Sequence, residues 1–336
     1  MTVKRHTISQ ILLYPLRFEP IYQYRLWGGR RLADLLTATL PSGPIGEAWI
    51  LSDRDDHASQ VADGPLKGQT ISQLLKQSPK QMLGDLAGRF RRFPLLLKFI
   101  DAHEMLSVQV HPSDAHKDLL PAGETGKTEA WVVLEAGTAS RIYAGLTPGI
   151  TADDLRRAIA DETVADDLQC FTPKPGDCVF LPAGTVHALG GDIVAFEIQQ
   201  NSDVTFSLYD WDHVDAKTGQ RRPLQIDQAL ACIDFAGGAA GLVTPVIEAT
   251  TPVGRERLFH CEHFWLWRLR GQSPFTVGAP GMPRILVCIE GAGQVEHLGA
   301  NYAVGKGDVL LLPAVVGECT FHPHSAVTLL EIAVPD

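Results

Sequence analysis

Residues 176–187 read G-D-C-V-F-L-P-A-G-T-V-H. The apolar run from Cys178 to Leu181 enters a turn carrying Pro182 and Gly184, and His187 stands where the next strand begins. A short apolar run closed by proline and glycine reads as a buried strand entering a tight turn. Upstream, L-S-V-Q-V-H-P sets Gln109 and His111 two residues apart, and G-K-T-E-A-W supplies Glu129. On a strand, side chains two apart share a face, so Gln109 and His111 can aim into one interior. With Glu129 and His187 they make two imidazoles, a carboxylate and an amide oxygen. That set suits a borderline divalent metal with an open position, zinc first among them, one ion per chain.

The same style of run recurs along the chain: F-P-L-L-L-K-F-I-D, A-W-V-V-L-E, I-V-A-F-E-I-Q-Q, R-I-L-V-C-I-E-G and D-V-L-L-L-P. Regular short strands with turn signals predict a mainly β chain of sandwich or barrel type. Helices are expected at Thr70–Leu83, Ala115–Leu120 and Thr151–Leu168, where Thr151 precedes Asp153 and Asp154 as an N-cap, and near Leu224–Ala231. K-G-D-V-L-L-L-P-A-V-V-G-E at 306–318 echoes the opening stretch, with Glu318 in the place of His187 and no Q-x-H before it. Two copies imply two similar barrels. The expected division is a metal-binding unit over 1–245, with helical insertions and a connecting segment, and a metal-free unit over 246–336.

The chain of 336 residues carries a net charge of −10, which argues against a nucleic-acid partner. No stretch approaches the apolar length of a membrane span. The first 18 residues have only a short apolar run, broken by Pro15 and Arg17, so no signal peptide is expected. The six cysteines form no C-x-x-C pair and several sit in apolar runs, as reduced buried thiols of a cytoplasmic protein would.

P-L-L-L-K-F-I-D-A, L-S-V-Q-V-H-P, G-K-T-E-A-W, L-P-A-G-T-V-H-A-L and E-I-Q-Q-N-S-D together resemble the type I mannose-6-phosphate isomerases of the cupin superfamily, most of all their short bacterial form. The resemblance covers nearly the whole chain and implies two cupin, jelly-roll-like β-barrels. It also implies zinc on Gln109, His111, Glu129 and His187, and interconversion of mannose 6-phosphate and fructose 6-phosphate. It places Ser107 and Lys127 near substrate, Glu197 as an acid lining the pocket, and Asp203 beside it. Moving one proton between C1 and C2 needs a base and charge stabilisation, for which Lys127 and Glu197 are the candidates. The phosphate needs a cation and hydroxyls; Lys127 and Ser107 fit, with Lys98 and Arg30 behind them.

One position departs from the pattern. Where the family has an arginine facing the substrate, in S-D-x-T-Y-R, this chain has S-D-V-T-F-S, ending on Ser207. That substitution favours an alternative: a metal-binding cupin that holds or senses a sugar phosphate with little or no turnover. Arg221 and Arg222 follow in the chain and could restore the charge. Trp27, Trp49 and Trp131 read as core rather than as sugar platforms. His322 and His324 read as surface residues.

Overall fold

The computed structural model describes residues 12–215, 218–237 and 240–335. Residues 1–11 of the stretch read for a signal peptide therefore lie outside the described residues. The chain is mainly β. Its first half builds a six-stranded antiparallel sheet in the order Ile21–Gly29, Ile45–Leu51, Leu95–Ala102, Ile193–Gln200, Glu129–Ala136, Cys178–Leu181. Facing it is a five-stranded sheet ordered Phe206–Tyr209, Val108–Val110, His187–Gly190, Arg141–Leu146, Leu168–Phe171.

Leu95–Ala102 shows why the first sheet has two uses. It is buried at every position, as strands covered on both faces are. Leu95, Leu97 and Phe99 enter one apolar cluster and Ile100 and Ala102 another, with Lys98 on the second face. Ile193–Gln200 divides the same way: Val194, Phe196 and Ile198 point outward from the sheet pair, and Ile193 and Ala195 point between the sheets with Glu197.

The internal echo appears as a repeated strand order. A second six-stranded sheet runs Val246–Ala249, Gly254–His260, Trp265–Gly271, Val327–Ala333, Arg284–Glu290, Val309–Leu312, and a four-stranded sheet accompanies it. Cys178–Leu181 and Val309–Leu312, the two echoing runs, edge their respective sheets. The inside of the second pair is filled by apolar side chains, among them Phe275 and Phe321, whose tilted rings lie 5.3 Å apart. Among the described residues no sheet closes on itself, so the two expected barrels stand as two open sheet pairs. The outward face of the first six-stranded sheet and that of the second share one apolar cluster, to which Phe99, Phe196, Leu266, Ile285 and Ile332 belong and in which Phe180 meets Phe259 at 5.9 Å.

Helix expectations met local physics unevenly. Thr70–Leu83 is interrupted at Ser78, because Pro79 has no N–H to continue the ladder, and gives Ile71–Gln77 and Pro79–Leu83. Thr151 caps Ala152–Ala160 through a capping box with Asp154, and a 3₁₀ turn carries on over Val164–Asp167. Ile226–Cys232 is helical as expected near Leu224–Ala231. Ala115–Leu120 is not a helix. It is a pair of turns, with Leu119 N–H donating to the His116 carbonyl, and so short a segment has too few bonds to offset nucleation.

Phe196 is fully buried and meets Phe99 edge-on at 5.6 Å. Phe196→Ala is expected to cost about 3–5 kcal/mol of stability, read from the urea midpoint at unchanged slope. A loss below about 1 kcal/mol would show that the cavity collapses freely.

Candidate metal centre and pocket

Two rungs of backbone pairing face each other between the sheets of the first half. On the five-stranded sheet, Ser207 pairs with Gln109, Gln109 with His187, and His187 with Ala144. On the six-stranded sheet, Trp49 pairs with Lys98, Lys98 with Glu197, and Glu197 with Trp131. Directly paired residues in antiparallel strands share a face, so each rung offers a row of side chains to the space between.

The turn before His187 needs its glycine. Gly184 has φ of 90°, and its N–H donates to the His111 carbonyl at 2.8 Å, which clamps the turn onto the His111 strand. His187 Nδ1 donates to the Thr185 carbonyl at 2.8 Å, and His111 Nδ1 to the Val204 carbonyl at 2.9 Å. A carbonyl only accepts, so each proton sits on Nδ1 and each Nε2 keeps its lone pair. Those lone pairs converge on Glu129: His111 Nε2 lies 3.4 Å from Oε2 and His187 Nε2 3.3 Å from Oε1. The Gln109 amide lies 3.3 Å from His187 Nε2.

All three of His111, Glu129 and His187 are buried, and their ligand atoms lie within 4.8 Å of one another. His111 Nε2 and Glu129 Oε1 are buried with no hydrogen-bond partner, and Glu129 Oε2 faces the Lys127 ammonium. Buried acceptors turned toward one point are the donor set of a metal cation. Burial pushes the His111 imidazole down to about 4, with Lys127 adding to the effect, and lowers His187 as well. Burial alone would raise the Glu129 carboxyl; Lys127 and the two imidazoles outweigh it and hold it well below the usual range. Neutral imidazoles beside a carboxylate are the protonation states a divalent ion requires.

Beside the centre, next to Gln109 and Lys127, lies a cavity of about 390 Å³. Gln109, Lys127, Glu197 and Asp203, all expected near the site, line it, as does Lys98. Lys127 Nζ sits 2.8 Å from Glu129 Oε2. Glu197 accepts the Trp131 indole N–H at 2.9 Å and meets Lys98 at 3.2 Å. Lys98 also faces Glu47 at 3.7 Å and Asp203 at 3.8 Å. Burial would lower its ammonium, but Glu197, Glu47 and Asp203 together raise it above the usual lysine range. Its charge is already matched, which makes it a poor phosphate anchor. Arg30 is not brought to the cavity; it donates to the carbonyls of Pro41 and Gly43 on an exposed loop. Ser107 is buried, its hydroxyl 3.0 Å from that of Ser207. The three tryptophans are core, and two of them also position carboxylates, Trp49 holding Glu47 at 2.7 Å. His322 pairs with Glu296 at the surface.

Sequence reasoning missed Arg25 and Glu47. Arg25 grips Glu47 through Nε and Nη2, both at 3.1 Å, and both residues line the cavity. Burial raises the Glu47 carboxyl, but Lys98, Arg25 and the Trp49 N–H hold it at about 2. Between about 4.5 and 2 the unfolded chain therefore binds a proton that the fold does not. Stability from this group is complete above pH 4.5 and is lost as pH falls toward 2. Acid unfolding is expected to be less steep in Glu47→Gln, compared by circular dichroism from pH 5 to 2; identical profiles would refute the coupling.

A family model described as "Phosphomannose isomerase type I, catalytic domain" matches residues 15–131. The mannose-6-phosphate isomerase ManA of Bacillus subtilis is 35% identical over 90% of this chain and 94% of its own. That of Streptococcus mutans is 31% identical over 91% of this chain and 95% of its own. A crystal structure of the mannose 6-phosphate isomerase from Bacillus subtilis superposes with a TM-score of 0.87 at 28% identity, covering 95% of this chain and 99% of that one.

Proposed function

The chain belongs to the type I mannose-6-phosphate isomerases, and from that premise we propose that it interconverts mannose 6-phosphate and fructose 6-phosphate in the cavity beside His111, Glu129 and His187. The observation that carries the reading is the buried His111–Glu129–His187 cluster beside a cavity lined by lysines and carboxylates. Gln109, His111, Glu129 and His187 would hold one zinc ion. When bound, it supplies Lewis-acid polarisation of sugar oxygens and offsets the negative charge of an enediolate.

The protein's own groups account for the proton transfer. Glu197, fixed by the Trp131 N–H and Lys98, takes the proton from C2 of the aldose and returns it to C1. Lys127 sets an ammonium beside the two oxygens, between which the hydroxyl proton passes from O2 to O1. Arg25, Glu47 and Asp203 offer hydrogen-bonding groups for the sugar hydroxyls. A coupled assay of fructose 6-phosphate formation from mannose 6-phosphate, with zinc supplied, tests the reading. Absence of turnover in zinc-loaded protein would return the chain to the alternative, a sugar-phosphate binder. That alternative rests on Ser207 alone, and a guanidinium lines the cavity in spite of it.

The residues from 246 onward serve, on this reading, as a metal-free structural unit, with Glu318 on an exposed turn where the first copy has His187. Among the described residues no helix is long and apolar enough to cross a membrane. All six cysteines are unpaired, and burial pushes Cys178, Cys232 and Cys288 up to about 12. Four of the six are buried and Cys170 is exposed; unpaired thiols, most of them buried, support a cytoplasmic setting.

A further inference from the structure

Ser207 sits on the same rung as Gln109 and His187 and points into the same space. It is buried, and its hydroxyl is taken up by Ser107. No cation can come from this strand position. The loop that follows is nevertheless tied to it. Gln225 N–H donates to the Ser207 carbonyl at 2.9 Å, and Ser207 N–H donates to Gln225 Oε1 at 3.2 Å. Three residues before Gln225, Arg222 enters the cavity lining.

The Arg222 guanidinium is held sideways. Its Nε lies 2.6 Å from Asp210 Oδ2. Its Nη1 reaches the Ser107 hydroxyl only at 3.5 Å, a contact long enough to be given up. A carboxylate on Nε leaves the two terminal nitrogens as a free fork, which matches a phosphate edge. The other arginine of the cavity, Arg25, spends Nε and Nη2 on Glu47, and Lys98 faces three carboxylates, whereas Asp210 takes only the Nε of Arg222. Beside the fork stands the Ser107 hydroxyl, itself 3.0 Å from that of Ser207. Hydroxyl donors grouped with an unspent guanidinium favour an oxyanion.

We propose that Arg222 binds the phosphate of the sugar phosphate, bringing from the loop the guanidinium that strand position 207 lacks. This rests on the isomerase reading above and adds a residue to it. Asp210 is its positioning residue, because it aims the fork without touching substrate. The geometry also makes positions 207 and 222 exclusive: a second arginine at 207 would project into the room that Arg222 and Ser107 now share.

The test is steady-state kinetics on mannose 6-phosphate and on unphosphorylated mannose, with zinc content equalised. Arg222→Ala is expected to raise KM for mannose 6-phosphate by about 10- to 100-fold, the loss of a charge-assisted bidentate pair. The loss on mannose itself should be about tenfold smaller, so discrimination between the two sugars falls. Arg222→Lys keeps a charge beside Asp210, guards against misfolding, and should fall between, because it has no fork. Ser207→Arg alone should weaken binding, whereas Ser207→Arg with Arg222→Ala should recover most of it. An Arg222→Ala KM within twofold of the wild type would overturn the proposal, as would equal losses on both sugars. Calorimetric titration of fructose 6-phosphate into wild type and Arg222→Ala separates the two readings. If the wild type binds but does not turn over, the isomerase reading fails; loss of that binding in the variant would still support Arg222 as the anchor, and its retention would overturn it.

Discussion

Replacing His187 with alanine is expected to strip the chain of its metal and, with it, of isomerisation. His187 is buried and offers its Nε2 beside Glu129 Oε1 at 3.3 Å, while its other nitrogen is fixed by the Thr185 carbonyl. The ring is thus prepared for one task. Removing a group that merely orients a ligand lowers metal affinity by about 10- to 100-fold; removing the ligand itself should exceed the upper end of that range. The alanine also leaves a hole next to Trp131, whose ring meets His187 edge-on at 5.4 Å. Metal analysis after dialysis against a weak chelator, beside the wild type, is the measurement. Stoichiometric zinc in a folded His187→Ala protein would sink the ligand assignment.

The second large effect is expected at Lys127, and it separates chemistry from metal binding. Lys127 is buried, and its Nζ touches Glu129 Oε2 at 2.8 Å. A protonated ammonium cannot ligate a metal, so its positive charge serves either the carboxylate or the substrate. Lys127→Met keeps the length and removes the charge. If Lys127 stabilises charge developing on the sugar oxygens, kcat should fall by about 10²- to 10³-fold while zinc stays bound. Normal turnover would reduce Lys127 to a neutralising partner of Glu129. Parallel loss of zinc and activity would mean that it acts through the metal ligand.

The residues that were legible in advance share one property: a neighbour in sequence fixed their direction. Gln109 lies on the Val108–Val110 strand with His111 directly after it, at a spacing of two, and His187 follows a proline–glycine turn whose shape is local. The strand order repeats where the G-D-x4-P-A run repeats, for the same reason. Closure was not legible, because whether a sheet seals into a barrel depends on pairings between strands far apart in the chain. Ionic partnership was illegible too. Lys98 looked like a phosphate anchor until three carboxylates from the Ile45–Leu51 strand, the Ile193–Gln200 strand and the loop after it were seen to surround it. Arg25 and Glu47 meet across neighbouring strands 22 positions apart, and nothing near either residue announces the other. The Ala115–Leu120 segment failed in the opposite way: its residues tolerate a helix, but no tertiary surface completes one.

The apolar cluster common to the two six-stranded sheets makes the chain one thermodynamic body. Leu266, Ile285 and Ile332 share that cluster with Phe99 and Phe196, whose strands carry Lys98 and Glu197 on their other face. A ligand that binds only the folded chain therefore stabilises residues that it never approaches, by RT ln(1 + [L]/Kd). Zinc and sugar phosphate should raise the melting temperature of the whole chain together, in a single transition followed equally by Trp131 in front and Trp267 behind. A chain cut at 245 would present the uncovered side of its catalytic sheet to water as a broad adhesive surface. The second sheet pair thus acts as the wall against which the first is held in register.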